Sequence, residues 1–173
     1  RELCEDNGCW GKARTFASDY GRYLYLNGRS EMPDYQPFDD QTFDVYAMCA
    51  IAGSGKDSYI RQHLAHLPML SLDEIRRERK LDPADSKHTA EAVRLGKEQA
   101  KEYLRARTSF VFNATNLNRD LRSKWLPMFA DYGARVHLIY LEVPYTRLLS
   151  QNRNREHSVP NDVLHRMIEK LEI

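Results

Sequence analysis

Hydrophobic and polar positions follow two alternating patterns from residue 44 onward. Short apolar runs predict strands at four places: residues 45–50, 68–72, 108–113 and 135–143. Between them, apolar residues recur at three- or four-residue spacing and predict helices near residues 57–67, 88–107, 118–132, from Pro144, and from Pro160 to the end. Strands that alternate with helices of this length favour an α/β fold, with a parallel sheet covered by helices on both faces.

The first 43 residues differ from the rest. They are rich in Gly, Asp, Pro and Tyr, and they contain one predicted helix, which Ser18 or Asp19 would cap and Gly28 would end. We therefore predict a lead-in segment at residues 1–43, packed on a single domain at residues 44–173.

The stretch A-I-A-G-S-G-K-D-S joins the first predicted strand to the helix that follows it. Glycines let the backbone curl so that successive N–H groups converge on an anion, and Lys56 on the first helical turn can reach the donor phosphates. A strand before the loop and a helix after it indicate a nucleotide site. We expect the donor phosphates to be bound by six consecutive residues: Gly53, Ser54, Gly55, Lys56, Asp57 and Ser58.

Two positions of this loop depart from the usual phosphate-binding sequence. Ala50 replaces its first glycine, and Asp57 replaces the hydroxyl that coordinates Mg²⁺. The strand that would supply a second carboxylate ends in the uncharged Asn113. We hypothesise that the carboxylate has moved, so that Asp57 anchors the metal, directly or through water, with Ser58 beside it. The alternative is that Asp57 is only a favourable acid at a helix N-terminus.

Asp73 and Arg76 follow the second predicted strand, at the sheet edge where ligands gather. On a helix their spacing places both on one face. Asp73 could accept a proton from an attacking hydroxyl, and Arg76 could clamp a phosphate with its planar set of donors. An exposed salt bridge with Asp73 as a helix cap is the alternative, and Glu74 and Arg77 offer the same chemistry one residue later.

The segment Q-N-R-N-R-E, after the helix that starts near Pro144, is a candidate lid. An arginine on such a lid can stabilise the charge that spreads over a phosphoryl group during transfer. Arg153 and Arg155, two positions apart, would face different sides of a helix, so only one is expected to serve. A solvated, charged helix end is the alternative interpretation.

Composition restricts these readings only slightly. The net charge is +1, with 5 Lys and Arg against 9 Asp and Glu in residues 1–50 and 21 against 16 in the remainder, a bias compatible with an anionic ligand but too mild to indicate nucleic acid. The chain shows no membrane-spanning run and no signal segment, and its three cysteines match neither a disulfide framework nor zinc spacing. We therefore expect a cytoplasmic protein without a membrane partner.

Five segments resemble the polynucleotide 5′-kinase family in the same order, over about residues 44–172: A-G-S-G-K-D-S, S-L-D-E-I-R-R-E, N-A-T-N-L-N, Y-L-E-V-P-Y and N-R-N-R-E-H-S-V-P-N-D-V-L. The G-K-D sequence and the opening segment R-E-L-C-E-D-N-G-C-W are similar to segments in the kinase module of bacterial HD-phosphohydrolase/polynucleotide kinase RNA-repair proteins. That resemblance implies an HD domain upstream, and the start at Arg1 suggests an excised part of a longer protein.

The resemblance implies a P-loop kinase fold with a central parallel sheet, flanking helices and a helical lid. It implies catalytic roles for Lys56 on the donor phosphates, Asp73 as general base on a 5′-OH, and Arg155 as the lid arginine. It also implies acceptor binding by Arg76, which would hold the acceptor's 3′-phosphate, and by Asn116. The donor would be ATP or another nucleoside triphosphate with Mg²⁺ or Mn²⁺, and the acceptor a 5′-OH end of RNA or DNA in end healing.

One carboxylate of that family falls on Ala114, or on Asn113 in related spellings, so the metal shell departs from the family pattern. Two other functions remain open on the sequence alone. A small-metabolite P-loop kinase needs the same loop, base and arginine, and a nucleotide-sensing module without turnover would fit the unusual residues in the loop.

Overall fold

The chain is seen in a computed structural model that describes residues 15–39, 41–154 and 158–172. It divides into two compact units, Arg1–Asp40 and Gln41–Ile173. Within the described residues, no helix is both long and apolar enough to cross a membrane.

The first unit contains one helix among its described residues, α1 at Asp19–Leu26. The Ser18 hydroxyl accepts a hydrogen bond from the Gly21 N–H at 2.9 Å, which satisfies a donor that the first helical turn would otherwise leave unpaired. Gly28 follows the helix with a φ of 66°, a left-handed conformation that suits glycine. The predicted helix is therefore confirmed, with Ser18 as its cap.

The second unit alternates strands and helices. Its strands are β1 at Phe43–Ala50, β2 at Met69–Ser71, β3 at Phe110–Asn113 and β4 at Ala134–Leu141. Its described helices are α2 at Lys56–His63, α3 at Leu72–Arg79, α4 at Ser86–Arg105, α5 at Arg119–Ser123, α6 at Leu126–Asp131, α7 at Tyr145–Arg153 and α8 at Asn161–Glu169. All four predicted strands are confirmed, with ends that differ by a few residues.

The four strands form one parallel sheet in the order β2-β3-β1-β4. The parallel sheet predicted from the alternation of elements is thus confirmed. Because all strands run the same way, Ala50, Ser71 and Asn113 bring the carboxyl ends of β1, β2 and β3 to one edge of the sheet. Strand β3 lies between β2 and β1, so Asn113 lies between the ends of those two strands at that edge.

The predicted helix over residues 118–132 is wrong in one respect, because the structure has two helices there. Pro127 occupies the first turn of α6, and it lacks the N–H that a helix continuing from α5 would use. A proline is tolerated in a first helical turn, so the chain ends α5 and starts α6 after Trp125. The final helix also ends earlier than predicted, at Glu169.

Side chains of the sheet alternate between two apolar clusters. Phe110 and Phe112 point to the side covered by α4 and α6, whereas Val111 points to the side covered by α2. Phe129 of α6 is fully buried, and its ring meets Phe110 and Phe112 edge-on at centroid distances of 5.5 Å. This aromatic contact fixes α6 against the central strands.

Phe129→Ala is expected to lower the free energy of unfolding by about 3–5 kcal/mol, because it removes buried surface and leaves a cavity beside two aromatic rings. Urea denaturation followed by circular dichroism measures the change. Tyr132→Ala, just after the same helix and 37% exposed, is the matched control and should have a much smaller effect. Equal losses in the two variants would contradict this account of the core.

Candidate active site

The loop between β1 and α2 has the backbone conformation of an anion cradle. Gly53 and Gly55 adopt φ values of 88° and 95°, which residues with a Cβ rarely adopt. The Ser54 N–H donates to Ile51 O at 3.2 Å and closes the turn. Gly55 is the N-cap of α2 and provides no side-chain cap, so the first N–H groups of α2 depend on another acceptor, and an anion suits them.

Ala50 fits the loop without a glycine because it is still part of the strand. It pairs with Leu141 of β4, is fully buried, and donates its N–H to Thr115 O at 3.0 Å. The left-handed conformations begin only at Gly53. The departure at Ala50 therefore leaves the backbone of the cradle intact.

Helix α7 packs against the loop through Asn152. Asn152 is buried, and a Cβ placed on Gly53 would lie 3.4 Å from the Asn152 Cβ. The Asn152 amide also donates to Val159 O at 2.7 Å and accepts from Val159 N at 3.0 Å. One side chain therefore contacts the loop and ties α7 to the chain before α8. No pattern in the sequence indicates this contact, because an asparagine in a charged segment is typical of a solvated surface and its partners here are backbone atoms.

A cleft of about 930 Å³ lies beside this loop, at the carboxyl edge of the sheet. Three residues that the sequence analysis singled out, Asp57, Asp73 and Arg76, line it. They come from α2 and α3, which start at the ends of β1 and β2. Asn113, at the end of β3, lines the same cleft. The cleft thus brings together Asp57, predicted for the metal, with Asp73 and Arg76, predicted for the acceptor hydroxyl and phosphate.

Asp73 and Arg76 form an ion pair, with Arg76 Nη1 2.8 Å from Asp73 Oδ1. The Asp73 side chain is 70% exposed, whereas that of Arg76 is 21% exposed. The Nε of Arg76 is buried and has no hydrogen-bond partner among the described residues. The N-cap of α3 is Ser71, whose hydroxyl accepts from Glu74 N at 3.3 Å, so the alternative was wrong about the cap, whereas the exposed salt bridge that it predicted is present.

Asp57 and Asn113 form a second polar contact in the cleft. Asn113 Nδ2 donates to Asp57 Oδ1 at 3.1 Å across the floor of the site. Among the described residues, no group of three or more His, Cys, Asp or Glu is arranged to hold a metal. A single carboxylate nevertheless fits Mg²⁺ or Mn²⁺, since such ions take hard oxygen ligands and complete their shell with substrate phosphates and water.

Asn116 lies in a different environment from the one implied by the resemblance. It is buried, and its Nδ2 donates to Met48 O at 2.8 Å. Its backbone carbonyl oxygen accepts from Arg122 Nη1 at 3.1 Å and from Cys49 Sγ at 3.2 Å. Burial raises the pKa of the Cys49 thiol, an effect that Arg122 partly offsets. Asn116 therefore ties the chain after β3 to β1 and is not among the residues that line the cleft, and its role in acceptor binding stays a prediction.

Of the remaining predicted residues, Lys56, Ser58, Ser54 and Arg153 lie in the described part of the chain. Lys56 begins α2, and Ser58 is exposed on its first turn. Ser54 is buried, with an Oγ that has no hydrogen-bond partner among the described residues. Arg153 ends α7, but Arg155 lies outside the described residues.

A glycine cradle between a buried parallel strand and a helix, beside a cleft with acid and guanidinium groups, defines a P-loop phosphotransferase. The match to a protein family agrees: residues 45–173 match the AAA domain family AAA_33. The chain belongs to this family of P-loop kinase domains. A comparison with curated proteins gave no match.

Solved structures share the fold. A chain of the Pnkp1/Rnl/Hen1 RNA repair complex is similar with a TM-score of 0.64 and 15% identity, over 78% of this chain and 47% of that chain. The present chain thus spans about half the length of that relative. An unliganded sugar kinase from Janibacter sp. is similar with a TM-score of 0.59 and 18% identity, over 76% of this chain and 79% of that chain.

A gluconokinase from Sinorhizobium meliloti is similar with a TM-score of 0.52 and 21% identity, over 75% of each chain. At such identities these likenesses concern the fold alone. They confirm the predicted P-loop kinase fold with a central parallel sheet flanked by helices.

Asn152→Ala is expected to lower the free energy of unfolding by about 1–3 kcal/mol, because it leaves the Val159 N–H and C=O without their partner. Thermal or urea unfolding measures the loss. Asn154→Ala, exposed two residues later, is the control and should change stability by no more than about 0.5 kcal/mol. Equal stability of the two variants would refute the role of Asn152 in tying α7 to the chain before α8.

Proposed function

We propose that this chain transfers the γ-phosphoryl group of ATP or another nucleoside triphosphate to the 5′-OH end of RNA or DNA, the reaction of nucleic-acid end healing. The observation that carries the proposal is the shared cleft, in which Asp73 and Arg76 lie on the same walls as Asp57, the residue next to Lys56. A hydroxyl acceptor and a phosphate donor would meet there.

The donor side follows from the loop. The backbone N–H groups at residues 53–58 and the start of α2 favour the triphosphate, and Lys56 carries a positive charge to the phosphates that react. Asp57 is the proposed anchor of Mg²⁺ or Mn²⁺. Such an ion, when bound, neutralises charge on the phosphate oxygens. The protein itself holds the donor phosphates in one orientation relative to the acceptor hydroxyl.

The acceptor side requires a base and a phosphate clamp. In the structure Arg76 holds Asp73 at 2.8 Å, so the carboxylate is already oriented before any acceptor binds. An acceptor phosphate can engage the guanidinium, whose buried Nε has no partner among the described residues. Asp73 then takes the proton of the 5′-OH as that oxygen attacks the γ-phosphorus, while the bond from the γ-phosphorus to the β,γ-bridging oxygen breaks and the nucleoside diphosphate leaves. Arg155 stays in the proposal as the lid arginine that stabilises the transferred group.

A polymeric acceptor is favoured by the cations of the cleft. In addition to Arg76, three basic residues line it: Arg61, Arg77 and Lys80. A nucleic-acid strand presents successive phosphates that such a set can follow. A small hydroxylated metabolite needs only one clamp, although the likeness to a sugar kinase and a gluconokinase keeps that acceptor as the second candidate.

Asp73→Asn is expected to reduce kcat by about 10²–10⁴-fold with a 5′-OH oligonucleotide, because the amide cannot accept the proton. Transfer of labelled γ-phosphate to a panel of oligonucleotides, nucleosides and sugars measures activity and acceptor choice. Glu78→Gln, on the same helix but away from the cleft walls, is the control and should retain activity.

Two outcomes of this panel would reject the proposal. Labelled sugars without labelled oligonucleotides would indicate the metabolite kinase. Nucleotide binding with no transfer to any acceptor would indicate a sensing module.

Arg76→Ala is expected to raise KM roughly 10- to 100-fold for an acceptor with a 3′-phosphate, since a charged hydrogen bond contributes about 1.5–3 kcal/mol. The loss should vanish with an acceptor nucleoside that lacks this phosphate, and wild-type KM should rise with salt. Arg79→Ala, exposed on the same helix, is the matched control. A similar loss with both acceptors would remove Arg76 from its assigned place.

A further inference from the structure

Asn113 lies at the end of the strand that usually supplies the second carboxylate of a phosphate-binding site. It is the last residue of β3, pairs with Ser71 of β2, and is 7% exposed. It lines the cleft together with Asp57 and Asp73. A buried polar side chain at the centre of a proposed active site needs an account of all its hydrogen-bonding atoms.

The orientation of the Asn113 amide is fixed by its neighbour. A carboxylate can only accept, so the atom that faces Asp57 at 3.1 Å must be the nitrogen, and the oxygen must face another direction. Met69 Sδ, 3.5 Å from the same nitrogen, is also a weak acceptor and supports this orientation. The Asn113 Oδ1 is buried and has no partner among the described residues.

An unsatisfied buried oxygen is unfavourable, so a donor from outside the protein is expected beside it. From outside the protein, the donors that can enter this cleft are water molecules and groups of the substrates. A water bound to a divalent ion is a strong donor, because the ion polarises its O–H bonds. Mg²⁺ keeps several such waters when it binds through one carboxylate and substrate phosphates.

The two unusual residues of the site also compensate each other. A carboxylate at position 113 would lie in contact with the Asp57 carboxylate, and two like charges at that distance disfavour each other strongly. An amide at position 113 removes the repulsion and donates a hydrogen bond instead. The usual pair, a hydroxyl on the loop and a carboxylate on the strand, is replaced here by a carboxylate on the loop and an amide on the strand.

We propose that Asn113 is a positioning residue of the metal site: its Nδ2 holds the Asp57 carboxylate, and its Oδ1 accepts a hydrogen bond from a metal-bound water. The inference rests on the proposed function, because it assumes that a divalent ion accompanies the donor nucleotide. It adds a residue that acts through Asp57 and does not touch the reacting atoms.

The test uses Mn²⁺ and a non-hydrolysable β,γ-imido ATP analogue with the whole chain, and it follows Mn²⁺ binding by electron paramagnetic resonance. Asn113→Ala is expected to weaken Mn²⁺ binding in the ternary complex by about 10-fold, and Asp57→Ala by more. The affinity for the analogue in EDTA should remain unchanged in Asn113→Ala. A residue with a merely structural role would lower that metal-free affinity as well.

The exchanged pair is the sharpest variant. Asp57→Ser combined with Asn113→Asp restores the usual arrangement, and it should recover Mn²⁺ affinity to within about threefold of wild type, whereas each single change should not. Asn161→Ala, exposed at the start of α8, is the control and should bind as wild type does.

Unchanged Mn²⁺ affinity in Asn113→Ala, or an equal loss of metal-free nucleotide binding, would overturn the inference. An exchanged pair no better than its single variants would overturn it too. The outcome for the proposed function is separate: a wild-type chain that transfers phosphate while Asn113→Ala binds Mn²⁺ normally refutes only the role of Asn113. Normal Mn²⁺ behaviour with no transfer to 5′-OH ends refutes only the function.

Discussion

The burial of β1 at the centre of the parallel sheet is the constraint on which the site depends. Residues 47–50 are buried between β3 and β4, so the strand end cannot shift without disturbing three strands. Only five residues separate Ala50 from Lys56, and two of them are glycines in left-handed conformations. The position of the first turn of α2 is therefore fixed by the core, and the anion cradle is present before any ligand binds.

The same constraint arranges the proposed acceptor side of the cleft. Because β2 is parallel to β1, α3 begins at the same edge of the sheet as α2, and Ser71 marks its first turn. The placement of Asp73 and Arg76 on one face of α3 then follows from helical spacing alone. Their ion pair is partly exposed, so its value to stability is small, since solvent screens such pairs. Its consequence is to hold a carboxylate and a guanidinium in one orientation at the edge of the cleft.

Local patterns accounted for most of the fold. Apolar runs and helical spacing predicted the strands, and the glycine spacing predicted the cradle, because each depends on residues close together in the chain. The break between α5 and α6 was missed although Pro127 carries the signal, since the periodic pattern was read through it. The buried role of Asn116 was missed for another reason: its partner Met48 lies 68 residues away, and no spacing rule reports such a contact.

The contact between Asp57 and Asn113 could not be predicted from a sequence pattern and is visible only in the structure. Each residue alone departs from the usual phosphate site, and together they span 56 positions of sequence. In space they are adjacent, and a carboxylate beside an amide is electrostatically favourable where two carboxylates would not be. Asp57 also brings negative charge to a helix N-terminus that attracts phosphate, so carboxylate and donor would repel each other at short range. A cation shared between them would remove that repulsion, so the proposed metal would make an acidic loop compatible with a triphosphate.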